Sequence, residues 1–134
     1  MEQENFQINS TRWSGWALLH RAAELGNMEI CQILLDAGAD VNIRSTWGWH
    51  TPLHLALGNG WLECALLLWK NGASLTIRNK GKLVPVSYGL QRGYGVANRE
   101  FSAEVLRQEI AQGVYSDPIK KSSTNQKLVE NNIE

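Results

Sequence analysis

A chain of 134 residues, 43% apolar and 19% charged, can bury one modest core but not two. Thirteen bases balance thirteen acids, so no global field draws the molecule towards nucleic acid or a membrane surface. The balance is uneven along the chain: residues 70–99 carry Lys70, Arg78, Lys80, Lys82, Arg92 and Arg99 without a single acid.

The N-terminal stretch MEQENFQINS has neither a basic nor an apolar leader segment. The most apolar run, WLECALLLW, is too short to span a bilayer and includes Glu63. A soluble cytoplasmic protein without a membrane partner is therefore expected. Leu18, Leu19, Ala22 and Ala23 predict one apolar helical face that Gly26 ends, and Ile30, Ile33, Leu34 and Ala37 predict a second helix running to Gly38. The segment ADVNIRSTWGWH then has the β-branched run and Gly-containing turn of a projecting hairpin.

The same plan returns. Gly26, Glu29, Gly38 and Ala39 recur at a constant offset as Gly60, Glu63, Gly72 and Ala73, and His20 recurs at that offset as His54. Pro52 and Gly60 recur again as Pro85 and Gly93. In the third unit Ser87 replaces the histidine, and about eight extra residues around YGVANREF are expected to separate Gly93 from a second helix capped by Ser102. A loop there, with Tyr94, Val96 and Phe101, would cover an apolar face of Leu62, Leu66 and Trp69.

Read through TPLHLALGNG, ALLHRAAELGN and LLDAGADVN, residues 8–113 resemble the ankyrin repeats, whose Thr-Pro-Leu-His-x-Ala signature and period they carry. The resemblance implies an all-α repeat solenoid: stacked helix-turn-helix units with projecting β-hairpin loops. The expected division is an N-terminal segment with a half-repeat hairpin at 1–15, repeats at 16–49 and 50–82, a divergent capping repeat at 83–113 and a polar, disordered tail at 114–134.

His20 and His54 are the obvious catalytic candidates. Their return at one register favours a repeated structural role, and the family implies hydrogen bonds from imidazole and from the Thr51 hydroxyl between helices and hairpins. No nucleophile elbow accompanies either ring, and GLQRGYG neither follows a strand nor carries a phosphate-binding lysine. Cys31 and Cys64 lack metal-ligand spacing and read as reduced core residues. No catalytic residue, cofactor or metal is expected.

Six tryptophans are the unusual feature. Trp13, Trp16, Trp47 and Trp49 fall in the hairpins or at helix entrances, and Trp16 and Trp49, one period apart, are read as one register. The family implies that this neighbourhood faces the concave side, where indoles either anchor a partner or stack on one another. Trp61 and Trp69 are assigned to packing. Lys80 and Lys82 continue the Trp47 and Trp49 positions, as a solvated face or as contacts to an acidic segment. The expected function is a protein–protein interaction module, an adaptor or inhibitor, using Trp13, Trp16, Arg21, Glu24, Trp47, Trp49, His50, Lys80, Lys82 and Tyr88. Its partner would be a protein or peptide, with nucleic acid disfavoured by the neutral charge. The chain itself would be a monomer or weak homo-oligomer. The alternatives are a self-associating structural protein and, more distantly, a hydrolase using histidine.

Overall fold

The computed structural model describes residues 7–12 and 14–113; Trp13 and the 114–134 tail lie outside the described residues. Six helices succeed one another: α1 (Leu18–Glu24), α2 (Met28–Asp36), α3 (Pro52–Gly58), α4 (Leu62–Lys70), α5 (Pro85–Gln91) and α6 (Gly95–Ala111). Contacts group the chain into two units, Met1–Phe101 and Ser102–Glu134. The first contains α1 to α5 and the start of α6. In the second, Glu104 accepts hydrogen bonds from Arg107 and Gln108, both at 2.8 Å.

Within the first unit, short inner helices pack in series, α1 on α3 and α3 on α5, while α2 packs on α4. Small buried residues allow this close stacking: Ala22 and Ala23 in α1, Ala56 in α3, Ala65 in α4. Leu19, Leu53, Leu57, Leu68 and Phe101 fill the rest of the core. Each inner helix closes with the same device. The N–H of Asn27, Trp61 or Tyr94 reaches back to the carbonyl of Ala22, Ala56 or Gly89, at 2.9 to 3.0 Å.

Rings seal these turns. A Cβ on Gly26 would fall 2.6 Å from the Trp61 indole, and one on Gly60 would fall 2.5 Å from the Tyr94 ring. The Trp61 indole also donates to the Glu24 carbonyl at 2.8 Å. This gives Trp61 the packing role expected of it.

The third helix pair departs from expectation. Its second helix starts only two residues after Gly93, so the extra residues form no loop; they lengthen α6 to 17 residues where α2 and α4 have 9. Ser102 sits mid-helix and caps nothing. A continuous helix carries Asn98 and Phe101 to buried positions, which a loop would not fix.

Asn98 is a buried polar residue in an otherwise apolar layer. Its amide donates to the carbonyls of Leu57 (3.1 Å) and Tyr94 (2.8 Å), while Oδ1 has no hydrogen-bond partner among the described residues. Space for it exists only because residue 89 is glycine: a Cβ there would collide with the Asn98 amide. Gly89→Ala is therefore expected to cost about 1–3 kcal/mol through overpacking. Adding Asn98→Ala should recover part of that loss in urea denaturation.

Among the described residues the projecting loops contain no strand. Each is a finger closed by backbone bonds at its base, Ser45 N–H to the His50 carbonyl (2.8 Å) and Asn79 N–H to the Leu83 carbonyl (2.9 Å). Adjacent fingers are tied together by Thr46 N–H to Gly15 O and Lys80 N–H to Gly48 O, both 2.8 Å. Asparagines link them further down: Asn9 Oδ1 accepts from Asp40 N–H at 2.8 Å, and Asn42 Oδ1 accepts from Ser74 N–H at 2.7 Å.

Candidate functional site

The histidines are structural ties in this fold. His20 Nδ1 accepts from the Ala17 N–H (2.9 Å), leaving Nε2 as the protonated nitrogen that donates to the carbonyls of Ile43 (3.0 Å) and His50 (2.8 Å). His54 repeats the pattern, with Nδ1 beside Thr51 N (3.1 Å) and Oγ1 (2.8 Å), and Nε2 on the Leu83 carbonyl (2.8 Å). Each ring thus fastens the start of its helix to the finger that leads into the next unit. Both are fully buried, and burial lowers the pKa of each, that of His54 to about 4. Where Ser87 replaces histidine, no later finger among the described residues presents a carbonyl to hold.

The aromatic register differs from the sequence reading. Leu18 and Pro52 both open inner helices; counted back from them, Trp16 stands two positions earlier and Trp49 three, so the two tryptophans are not equivalent. The residues directly preceding the helix caps are Trp16, His50 and Leu83. Trp16 is half-buried, its ring 6.1 Å from that of His20, and His50 lies 5.8 Å from His54 in the same relation.

Lys80 is likewise displaced from its expected match. The third finger closes between Asn79 and Leu83, a step of four, where the second closes between Ser45 and His50, a step of five. Lys80 consequently makes the inter-finger bond that Thr46 makes one unit earlier, and Trp47 has no counterpart. Lys82 does keep the Trp49 position: these are the only non-glycine residues with positive φ among those described, at 68° and 55°.

What the fold brings together is a surface on α5 and the second and third fingers. His50 stacks on Tyr88 with ring centroids 4.7 Å apart, and Asn79 Nδ2 approaches His50 Nδ1 at 3.4 Å. Arg92, one helical turn after Tyr88, holds its guanidinium 5.7 Å from the Tyr88 ring and donates through Nε to the Gly58 carbonyl at 2.6 Å. Gly58 makes this possible, since a Cβ there would meet Tyr88 at 2.5 Å and the Arg92 chain at 3.1 Å. Burial first, and then the nearby Arg92 guanidinium, lower the His50 pKa, so the ring presents a neutral face.

Trp47 is 73% exposed and Trp49 48%, with Lys80 and Lys82 exposed on the adjoining finger. Trp47 rests on the backbone of Gly15, where a Cβ would fall 2.6 Å from the indole. Arg21 and Glu24 are not brought to this surface. They pair with each other on α1 at 3.1 Å, and Arg21 lines a separate groove. Arg92 is the site residue that sequence reasoning missed; its i,i+4 spacing from Tyr88 was the available signal. Among the described residues no group of His, Cys, Asp or Glu could hold a metal, and no helix is long and apolar enough to cross a membrane.

Helix pairs stacked by their inner helices, with cross-tied fingers and histidine fasteners, define a helical repeat protein. The chain belongs to the ankyrin repeat family: the profile described as ankyrin repeats (3 copies) matches residues 2–79. A probable 26S proteasome regulatory subunit p28 of Saccharomyces cerevisiae is 39% identical over 75 residues, 54% of this chain and 32% of that protein. Protein phosphatase 1 regulatory subunit 27 of Mus musculus is 41% identical over 66 residues, covering 49% of this chain and 42% of that one. Protein phosphatase 1 regulatory subunit 12A of the same organism is 42% identical over 67 residues, 50% of this chain and 6% of its own length. The chain thus spans less than half the length of each of these relatives. Membership of this repeat family makes it a protein–protein interaction module.

Proposed function

We propose that the chain binds an acidic segment of a partner protein on the surface built from Trp47, Trp49, His50, Lys80, Lys82, Tyr88 and Arg92, acting as an adaptor or inhibitor and not as a catalyst. Its working units are the repeats at 16–49 and 50–82, capped by 83–113. The single observation that carries the reading is the exposure of Trp47 and Trp49 on a finger tied to the basic one. Large rigid side chains held before contact lose little entropy on docking, and tryptophan and arginine dominate interface hot spots. The absence of any acid between residues 70 and 99 suits an acidic partner. The regulatory subunits among its relatives support a role exerted on another protein.

Affinity capture from cell extract tests this with wild type beside a Trp47→Ala/Trp49→Ala variant of unchanged circular dichroism. Each truncation is expected to cost about 2 kcal/mol, roughly thirtyfold in affinity. The double variant should lose the specifically captured protein, and rising salt should weaken wild-type binding. Identical captures would remove the tryptophans from the binding surface.

A further inference from the structure

The cations of the finger surface differ in how they are held. Lys80 and Lys82 are exposed on the third finger, and among the described residues nothing bonds to either ammonium group. Arg92 is fixed at three points. Its Nε donates to the Gly58 carbonyl at 2.6 Å, its Cδ occupies the space that a Cβ on Gly58 would crowd, and its guanidinium stands 5.7 Å from the Tyr88 ring. These points come from α3 and α5, so the setting belongs to the contact between two successive inner helices and to neither end of the array. A guanidinium offers five N–H donors in one plane. The Nε bond uses one; the four Nη–H groups have no partner among the described residues, on a side chain that is exposed. Neither α3 nor α5 contains an acid that could neutralise them.

We infer that Arg92 is the specificity-determining residue of this surface and takes one side-chain carboxylate of the partner in a bidentate pair through its two Nη nitrogens, an assignment that rests on the acidic-partner reading above. A carboxylate matches the paired N–H groups of a guanidinium in spacing and plane, which an ammonium cannot reproduce. Because the guanidinium is oriented before contact, little entropy is lost in ordering it. The lysines draw an acidic segment in by charge; the arginine selects where one carboxylate rests. Arg92 meets Gly58, the last residue of α3, whereas the tryptophan finger leads into the first. The seven residues of α3 span about 10 Å, so the carboxylate lies about three extended residues from the side chain that meets the tryptophans.

Fluorescence polarisation with a labelled, amidated peptide of seven glutamates and one phenylalanine tests the assignment on the full chain. Wild type is expected to bind it and to ignore the same peptide with glutamine in place of glutamate. Arg92→Lys keeps the charge and should weaken binding about tenfold, the loss of one charge-assisted hydrogen bond. Gly58→Ala leaves the arginine in the chain but pushes its stem and Tyr88 aside, and should weaken binding to a similar degree. Arg99→Lys, exposed on α6, should bind as wild type does. Guanidinium NMR of wild type should show the Arg92 Nη signals split when the peptide is added, since a bidentate pair stops rotation about the Nε–Cζ bond. Trp47→Ala/Trp49→Ala keeps the two possible failures apart. If it weakens binding and Arg92→Lys does not, the finger reading stands and the assignment to Arg92 falls; if only Arg92→Lys weakens binding, the assignment stands without the tryptophans. A wild type blind to the peptide, or an Arg92→Lys variant that binds it equally well, would overturn the assignment.

Discussion

Replacing His54 with alanine is expected to lower the unfolding free energy by about 2–4 kcal/mol, measured by urea denaturation at neutral pH. The variant leaves the Leu83 carbonyl and the Thr51 N–H without their imidazole partners and opens a void beside Tyr88, whose ring lies 5.8 Å from that of His54. Ser87→Ala, at the equivalent position of the third pair, should cost far less, because no finger hangs on that side chain. The same ring sets a pH dependence. Unfolded, it takes up a proton below about pH 6.5; folded, it does so only near pH 4, because burial opposes the charged form. The unfolded state therefore binds more protons between those values, and acidification through that window removes stability, by about 3 kcal/mol for a shift of this size. His20, shifted the same way, steepens the loss. Above pH 6.5 both states are neutral and the contribution is level. A flat stability profile from about pH 7 to about pH 4.5 would show that the rings are not held neutral by the fold.

Much of this architecture was legible because the repeat is written in residues with one physical use. Histidine at the third position of a helix, returning one unit later, can fasten a cap; glycine at 26, 60 and 93 ends a helix on schedule. Those signals are local, and the helix boundaries followed from them. Register across the fingers was not legible, because a single additional residue between Ser45 and His50 shifts every later side chain without disturbing the pattern of either flanking helix. That is why Trp16 and Trp49 looked equivalent while the fold matches Trp16 with His50. The extension of α6 was hidden for a related reason: an insertion between Gly93 and Gly113 reads as a loop when it is aligned from its far end, and only the buried Asn98 and Phe101 reveal the helical phase. Arg92 escaped because its role comes from Gly58 on the preceding inner helix, where the missing Cβ admits both the arginine and Tyr88.

Gly26→Ala and Gly60→Ala should be about as damaging as the loss of His54, whereas Gly93→Ala should be mild. All three glycines end an inner helix in the left-handed region, with φ of 69°, 77° and 99°, where an L side chain costs roughly 1–2 kcal/mol. At Gly93 that is the whole cost, since nothing lies within 4 Å of the added Cβ. At Gly26 the new atom would enter the Trp61 indole and force it off the turn, which also breaks its bond to the Glu24 carbonyl. At Gly60 it would enter the Tyr94 ring. Displacing a packed ring adds about 1–3 kcal/mol to the backbone penalty, giving totals near 2–5 kcal/mol. Thermal denaturation of the three variants side by side reads the difference directly. Equal destabilisation would mean that the rings merely lie near the turns, whereas a large gap between Gly26 or Gly60 and Gly93 would identify ring-on-glycine contact as the seal between successive helix pairs.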